Sequence, residues 1–237
     1  DYRGERLRMA LDAYDQKDKR DGASDYFFGF SGQPSAVPDA SKPITLGSTA
    51  QARDRMLMAR VEYDLASQVT AFAAFGKRSY RSDFIRAVPW SVDQSGNYTA
   101  APMRETLNGD LSSAEMGLRA HVNTGAISHR IVLAGTDFIR TNYYAVSYGS
   151  NASNNIFDPV PITDPGDPGK PSRIMRNHMK SVALADTLGL WDERLLLTLG
   201  LRHQQVSTLG GWSGWNNTAA YEKSATSPIV ALVFKPT

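Results

Sequence analysis

The sequence predicts an all-β protein, folded as an antiparallel up-and-down meander of about eight long strands. Two observations lead to this prediction. Apolar and polar residues alternate with a period of two over many segments, which is typical of strands with two different faces. Short turns and long polar or Pro/Gly-rich stretches then alternate as the connections between these segments.

The alternation is clearest near the end of the chain. Leu195, Leu197, Leu199 and Leu201 share one face, whereas polar residues and Gly200 occupy the other, with Leu196 as the exception. Similar patterns start at Leu7, Leu57 and Met116. The predicted strands cover residues 6–20, 48–65, 68–90, 101–122, 126–148, 175–187, 193–207 and 221–235.

Two of these segments are also compatible with amphipathic helices. Residues 48–66 and 107–122 are rich in Ala, Arg, Met and Leu, which are good helix formers. The alternation favours strands, because the hydrophobic pattern outweighs single-residue propensity.

The composition excludes several classes of protein. Lys and Arg total 26 against 24 Asp and Glu, so the chain has no basic excess that would indicate a nucleic-acid partner. The absence of Cys excludes disulfides and thiolate metal sites. No apolar run approaches the ~20 residues that a membrane helix needs. A membrane β-barrel remains possible, because its alternating strands give no hydropathy peak.

The connections favour such a barrel. The long loops, at residues 21–47, 91–100, 149–174 and 209–220, all fall on one edge of the predicted sheet. Outer-membrane barrels have short periplasmic turns and long external loops. Their apolar face contacts lipid and their polar face lines a lumen or a plug, since a midplane Arg or Lys facing lipid costs about 2–4 kcal/mol.

Several segments resemble the barrel wall of a TonB-dependent ferric-siderophore receptor, and they occur in order over nearly the whole chain. They are Leu7–Tyr14, Val37–Ser41, Val61–Leu65, Val69–Gly76, Gly117–Arg119 with Thr124–Leu133, Leu195–Arg202 and Ser227–Pro236.

The resemblance implies a bacterial outer-membrane barrel of about 22 strands with a plugged lumen, surrounded by outer-membrane lipid. Such receptors bind a ferric siderophore and couple its uptake to TonB through the plug and its TonB box. Residues 1–237 would then form a partial barrel wall, since no plug domain, TonB box or terminal aromatic residue is recognisable in them.

The resemblance also implies binding rather than catalysis. The siderophore would hold the iron itself, so we expect no cofactor, no protein metal ligand and no catalytic residue. Aromatic rings and Arg side chains suit a bulky chelate with aromatic or anionic edges. The candidate ligand-binding residues lie near the external mouth: Tyr26, Phe28, Trp90, Tyr98, Arg104, Arg140, Tyr143, Tyr144, Tyr148, Trp212 and Trp215.

Two alternatives of other classes remain open at this point. One is a complete eight-stranded outer-membrane barrel with a structural or adhesive role. The other is a soluble β-sandwich that binds carbohydrate, or a glycosidase, suggested by the loop tryptophans and the many Asp residues. A glycosidase would need two carboxylates about 5–10 Å apart.

Overall fold

The computed structural model describes residues 1–22, 29–32, 36–39, 41–210 and 220–236, without the side chain of residue 220. Its strands are β1 (Tyr2–Arg3), β2 (Leu7–Asp21), β3 (Thr49–Ala66), β4 (Val69–Ala87), β5 (Asn97–Ala100), β6 (Pro102–Thr124), β7 (Ile127–Tyr148), β8 (Ala152–Asn155), β9 (Ser172–Leu190), β10 (Leu195–Gly210) and β11 (Ala220–Phe234). The all-β prediction is confirmed, and the helical alternative for residues 48–66 and 107–122 is wrong. No helix among the described residues is long and apolar enough to cross a membrane.

Nine of the strands form one antiparallel sheet in the order β1-β2-β3-β4-β6-β7-β9-β10-β11. The strands at its two edges are β1 and β11, and no pairing between described residues closes the sheet. An open single sheet fits part of a larger barrel wall. It does not fit a complete small barrel or the two packed sheets of a sandwich.

The boundaries of the long strands agree with the predicted ones to within a few residues. The largest differences, of three residues, are at β4, which ends at Ala87 instead of residue 90, at β9, which covers Ser172–Leu190 instead of residues 175–187, and at β10, which ends at Gly210 instead of residue 207. Pro89 explains the first difference, because proline has no N–H to donate and restricts the residue before it. β9 begins directly after Pro171 and pairs with β7 across a bulge at Asn142 and Tyr143.

One face of the sheet, called here the outer face, carries an exposed apolar belt near the short turns. Side chains such as Leu11, Met116 and Val230 are 66%, 66% and 71% exposed. The belt runs over about seven residues of each strand, or roughly 24 Å of strand length. The opposite face, called the inner face, carries the charged residues that alternate with these apolar residues along each strand. This arrangement is that of a sheet with lipid on one side and a polar lumen on the other.

The tilt of the strands follows from the position of the belt edge on each strand. The first polar outer-face residues beyond it, from β2 to β11, are Asp15, Arg55, Lys77, Ser112, Asp137, Lys180, His203 and Thr226. Asp15 pairs directly with Arg55, so the belt ends at the same level on β2 and β3. Lys77 pairs instead with Leu57, which is two residues nearer the short turns than Arg55. The belt edge therefore steps by two residues towards the short turns between β3 and β4. The same step recurs at β6–β7 and β9–β10. About one residue of shift per strand, at ~3.3 Å rise and ~4.8 Å spacing, gives a tilt of about 35°, as in barrels.

Short turns join β6 to β7 and β9 to β10, close to the gaps between the predicted strands. Gly125 turns the chain between β6 and β7 with a φ of 62°. Between β9 and β10, three consecutive non-glycine residues have left-handed backbone conformations, with φ values of 51° at Trp191, 54° at Asp192 and 63° at Glu193. Such conformations are unfavourable for residues with a Cβ, so this turn is strained.

Except for Ala87 at the end of β4, the buried apolar cluster of the described residues lies in the long connections. Ile44, Val92, Tyr98 and Ile156, from three different connections, pack together there. β5 and β8 pair with each other to form a separate two-stranded sheet in this cluster. The segments 91–100 and 149–174, predicted as irregular loops, therefore contain short strands. We call this unit, built from residues 41–48, 88–101 and 149–165, the loop cap.

Candidate functional site

The candidate ligand-binding residues fall into four groups by their position in the structure. Arg140, Tyr144 and Tyr148 lie on the inner face of β7, opposite Leu111, Leu107 and Met103 of β6. Arg104 and Tyr143 lie on the outer face. Tyr98 and Trp90 belong to the loop cap. Four candidates lie outside the described residues, namely Tyr26, Phe28, Trp212 and Trp215.

Two of the inner-face candidates, Tyr144 and Arg140, are held by buried polar partners. Tyr144 donates a hydrogen bond from its hydroxyl to Glu105 Oε1 at 2.6 Å. Glu105 is 8% exposed and also forms an ion pair with Arg86 on β4. A carboxylate shared by a cation and a phenol keeps both side chains in place. Tyr144 is thus fixed by residues from two neighbouring strands.

A second group of inner-face contacts positions Arg140. Asn142 is 4% exposed, and its Oδ1 accepts hydrogen bonds from Arg140 Nε at 3.2 Å and from the Tyr80 hydroxyl at 3.3 Å. Tyr80 reaches this point because Gly109 leaves space on β6. A Cβ on Gly109 would lie 2.2 Å from a ring carbon of Tyr80. The inner face near the long loops therefore presents Arg140, Tyr80 and Tyr144 together.

Tyr148 and Trp90 are the open aromatic candidates, with 60% and 62% of their surface exposed. Tyr148 ends β7 on the inner face, and Trp90 lies in the connection between β4 and β5. Tyr98 differs from them, because it is 4% exposed within the apolar cluster of the loop cap. Its ring supports the cap, while Tyr148 and Trp90 offer surface for stacking.

The two outer-face candidates face away from the inner-face group. Arg104 contacts both carboxylate oxygens of Asp83 through Nε at 3.2 Å, and its Nη1 lies 3.3 Å from Asp164 Oδ2. Tyr143 is on the same face, opposite Asn108. The alternation along each strand already indicates this face. On β6 the even-numbered residues, such as Leu118, point outwards, and Arg104 is one of them. On β7 the odd-numbered residues, such as Leu133, point outwards, and Tyr143 is one of them. The position of a residue near the strand end does not reveal its face.

A turn in the loop cap is fixed by Asp93. Its Oδ1 accepts hydrogen bonds from the backbone N–H groups of Ser95 and Asn97, both at 2.8 Å, and its Oδ2 accepts one from Asn97 Nδ2 at 3.1 Å. The bonds from Asn97 and Ser95 hold the pKa of the Asp93 carboxyl below its usual value, because they favour the charged form.

Sequence reasoning did not find a charged cluster on the inner face near the short turns. Arg8 donates two 2.7 Å hydrogen bonds to Asp64 and one of 3.1 Å to Glu62. Glu62 also accepts from Arg60 at 2.7 Å and from Arg119. The guanidinium of Arg119 lies 4.8 Å from the centroid of the Phe72 ring. The alternating charges of β2, β3 and β6 were the available signal, but their contacts depend on strand register.

The described residues contain no group of three or more His, Asp or Glu side chains that could hold a metal ion. Two of their four histidines each pair with a single Asp instead. His129 contacts Asp186 at 2.7 Å, and His178 contacts Asp137 at 2.8 Å, both on the outer face.

Comparison with known proteins assigns this chain to a family. The family model described as "TonB dependent receptor-like, beta-barrel" matches residues 2–237. The ferrichrome receptor FcuA of Yersinia enterocolitica is 26% identical over 247 residues, a match that covers 100% of this chain and 32% of FcuA.

Solved structures give the same result. BauA, the ferric preacinetobactin receptor of Acinetobacter baumannii, superposes with a TM-score of 0.81 at 28% identity, covering 100% of this chain and 36% of BauA. The siderophore receptor PiuA of the same organism shares the fold, with a TM-score of 0.62 at 14% identity over 98% of this chain and 38% of PiuA. The chain spans about a third of the length of FcuA and BauA. It belongs to the β-barrel domain family of TonB-dependent receptors, whose members are outer-membrane proteins.

Proposed function

We propose that this chain is part of the barrel wall and external mouth of an outer-membrane receptor that takes up a ferric siderophore. The observation that carries the proposal is a line of inner-face side chains that runs along β7 towards the loop cap. Arg140, Tyr144 and Tyr148 lie on one face of this strand at intervals of four residues, and Tyr80 shares the Asn142 oxygen with Arg140. Both FcuA and BauA are named as receptors of ferric siderophores.

The chemistry of this group suits a bulky chelate. Exposed rings such as Tyr148 and Trp90 can stack on aromatic or apolar edges, and Arg140 can pair with an anionic edge. The siderophore would supply all the ligands of the iron. The protein would then need shape and charge at the mouth and no iron-coordinating residue or cofactor.

The rest of the proposed activity depends on parts that these residues do not supply. The ligand would pass the wall only when a plug inside the barrel moves, and TonB would drive that movement. The proposed process is transport, so no covalent bond of the siderophore changes. The outer-face belt would hold this part of the wall in the lipid of the bacterial outer membrane.

The inner and outer candidates provide a matched test in the full-length receptor. Arg140→Ala and Tyr148→Ala remove inner-face groups, whereas Arg104→Ala and Tyr143→Ala remove the same residue types from the outer face. Ferrichrome and ferric preacinetobactin are the probes, because FcuA and BauA are named for them. Binding is measured by quenching of tryptophan fluorescence.

We expect one of the probes to bind, and the inner-face variants to weaken its binding by about tenfold each, which corresponds to ~1.4 kcal/mol. The outer-face variants should leave binding within about twofold of the parent protein. Equal losses from the inner and outer variants, or no loss from either, would contradict the proposed binding surface. If neither probe binds, the result would contradict the proposal that this receptor takes the class of ligand for which FcuA and BauA are named.

A further inference from the structure

Six basic residues cluster on the outer face of β2, β3 and β4, on the long-loop side of the apolar belt. We call them the basic patch: Lys17, Lys19, Arg53, Arg55, Lys77 and Arg81. Three of them lie side by side in one row, since Lys17 pairs with Arg53 and Arg53 pairs with Arg81. Like charges directly opposite one another destabilise a sheet. The row therefore opposes folding unless anions offset it.

The acidic residues nearby offset only part of this charge. Asp15 binds Arg53 and Arg55, and Asp110 accepts two 3.1 Å hydrogen bonds from Arg81. Lys17 and Lys77 form no ion pair with any described residue. Both side chains are exposed. The patch thus keeps a net positive charge and two ammonium groups that can receive an anion.

An apolar groove lies directly beside the patch on the same strands. It has a volume of about 730 Å³. Its outer-face lining includes Met9, Leu11, Ala59, Ala73, Phe75 and Met116. The alanines form its floor, and the larger side chains form its walls. Phe75 and Lys77 are two residues apart on the same face of β4, a separation of about 7 Å along the strand.

We propose that the groove and the basic patch together bind an anionic, phosphate-bearing lipid of the membrane leaflet on the long-loop side. An acyl chain would occupy the groove, and the phosphate would lie between Lys17, Arg53 and Lys77. Charge complementarity selects this occupant, because basic residues next to a membrane-spanning surface attract anionic headgroups. The proposal rests on the membrane location put forward above but not on siderophore binding.

The test uses the full-length receptor in a neutral detergent, titrated with short-chain phosphatidylglycerol or short-chain phosphatidylcholine. The double variant Lys17→Gln/Lys77→Gln removes the two unpaired charges. Lys180→Gln is the matched control, because Lys180 is also the first outer-face residue beyond the belt, on β9, far from the patch. Lys17→Arg/Lys77→Arg keeps the charge and tests rescue.

We expect phosphatidylglycerol to bind the parent protein more tightly than phosphatidylcholine does. The double Gln variant should weaken its binding about 25-fold, or about fivefold for each charge. The Arg variant and Lys180→Gln should bind as the parent protein does. Ala73→Trp, which fills the groove, should weaken the binding of both lipids.

Three results would overturn the proposal. One is an equal loss in Lys180→Gln, which would show that the net charge of the wall matters and the patch does not. Another is an unchanged affinity in both the double Gln variant and Ala73→Trp. The third is displacement of phosphatidylglycerol by millimolar inorganic phosphate, which would identify a site for the free anion. Siderophore binding, measured on the same variants, should stay unchanged, so failure of this proposal is distinguishable from failure of the proposed function.

Discussion

The ring of Tyr80 on β4 occupies the space that a side chain at Gly109 on β6 would need. A Cβ at Gly109 would lie 2.2 Å from a carbon of that ring. A related arrangement occurs eight residues away on each strand, where a Cβ on Gly117 would lie 2.7 Å from the Phe72 ring and 2.2 Å from the backbone oxygen of Leu133. Aromatic rings laid over strand glycines cover otherwise bare backbone. Both pairs lie on the inner face, so they set the shape of the lumen wall.

Substitution of Gly109 by Ala should therefore destabilise the barrel by about 1–3 kcal/mol, because the new methyl group must displace the Tyr80 ring. The free energy of unfolding is measured by urea titration in detergent. Gly76→Ala is the control, since a Cβ at Gly76 has no neighbour within 4 Å. That control should be neutral or slightly stabilising, because Gly weakens a strand. The double variant Tyr80→Ala/Gly109→Ala should be more stable than the sum of the single effects predicts. An additive result would disprove the steric account.

Glu62 should be the most sensitive residue of the charged cluster near the short turns. Its carboxylate accepts hydrogen bonds from Arg8, Arg60 and Arg119 and is 16% exposed. Glu62→Gln leaves three cations around a neutral amide, and we expect a loss of about 2 kcal/mol of unfolding free energy. Glu115→Gln is the matched control, because Glu115 is an exposed inner-face carboxylate with no ion pair to a described residue. A similar effect of both substitutions would show that net charge alone is responsible.

The His129–Asp186 pair is the polar exception within the apolar belt. Asp186 pairs across the strands with Ile131 and Leu199, so its environment on the outer face is apolar. His129→Leu leaves the carboxylate without its partner in this environment, and we expect a loss of about 1–3 kcal/mol in lipid vesicles. The double variant His129→Leu/Asp186→Leu should recover most of that loss.

The second His–Asp pair on the same two strands provides the comparison. His178 and Asp137 lie beyond the belt, where water reaches them. His178→Leu should cost less than His129→Leu, because the remaining Asp137 stays hydrated. If the two single variants lose equal stability, depth in the membrane is not the cause.

The main sheet could be predicted from the sequence because its pattern is local. Alternation along one strand is enough to assign Leu197 and Leu199 to one face and Thr198 to the other, and the structure confirms this assignment. The same parity rule separates Arg140 from Arg104, although both residues lie near strand ends. Which residues touch across strands could not be predicted, because it depends on the register of two distant segments.

The loop cap could not be predicted for a related reason. Ile44, Val92 and Ile156 lie in three polar connections, and none of them belongs to a periodic pattern. Their shared core exists only after the long strands bring the three connections together. Tyr98, selected as a possible ligand contact, is part of this core. The energy that orders β5 and β8 is therefore tertiary and has no local sequence signal.

The stability of the loop cap should depend on pH through Asp93. The pKa of Asp93 is lowered in the folded protein, so its charged form favours the folded turn. That contribution is present in full above the ordinary Asp pKa of 3.8 and is lost as the pH falls through the lower folded-state value.

Hydrogen exchange of residues 88–101, measured between neutral pH and about pH 3 and corrected for intrinsic rates, should show loss of protection at the acidic end. Asp93→Asn should remove this pH dependence, because the amide does not titrate there. Asp158→Asn, at an exposed carboxylate in the next connection, should leave it in place. An unchanged pH profile in Asp93→Asn would mean that other groups control the opening of the cap.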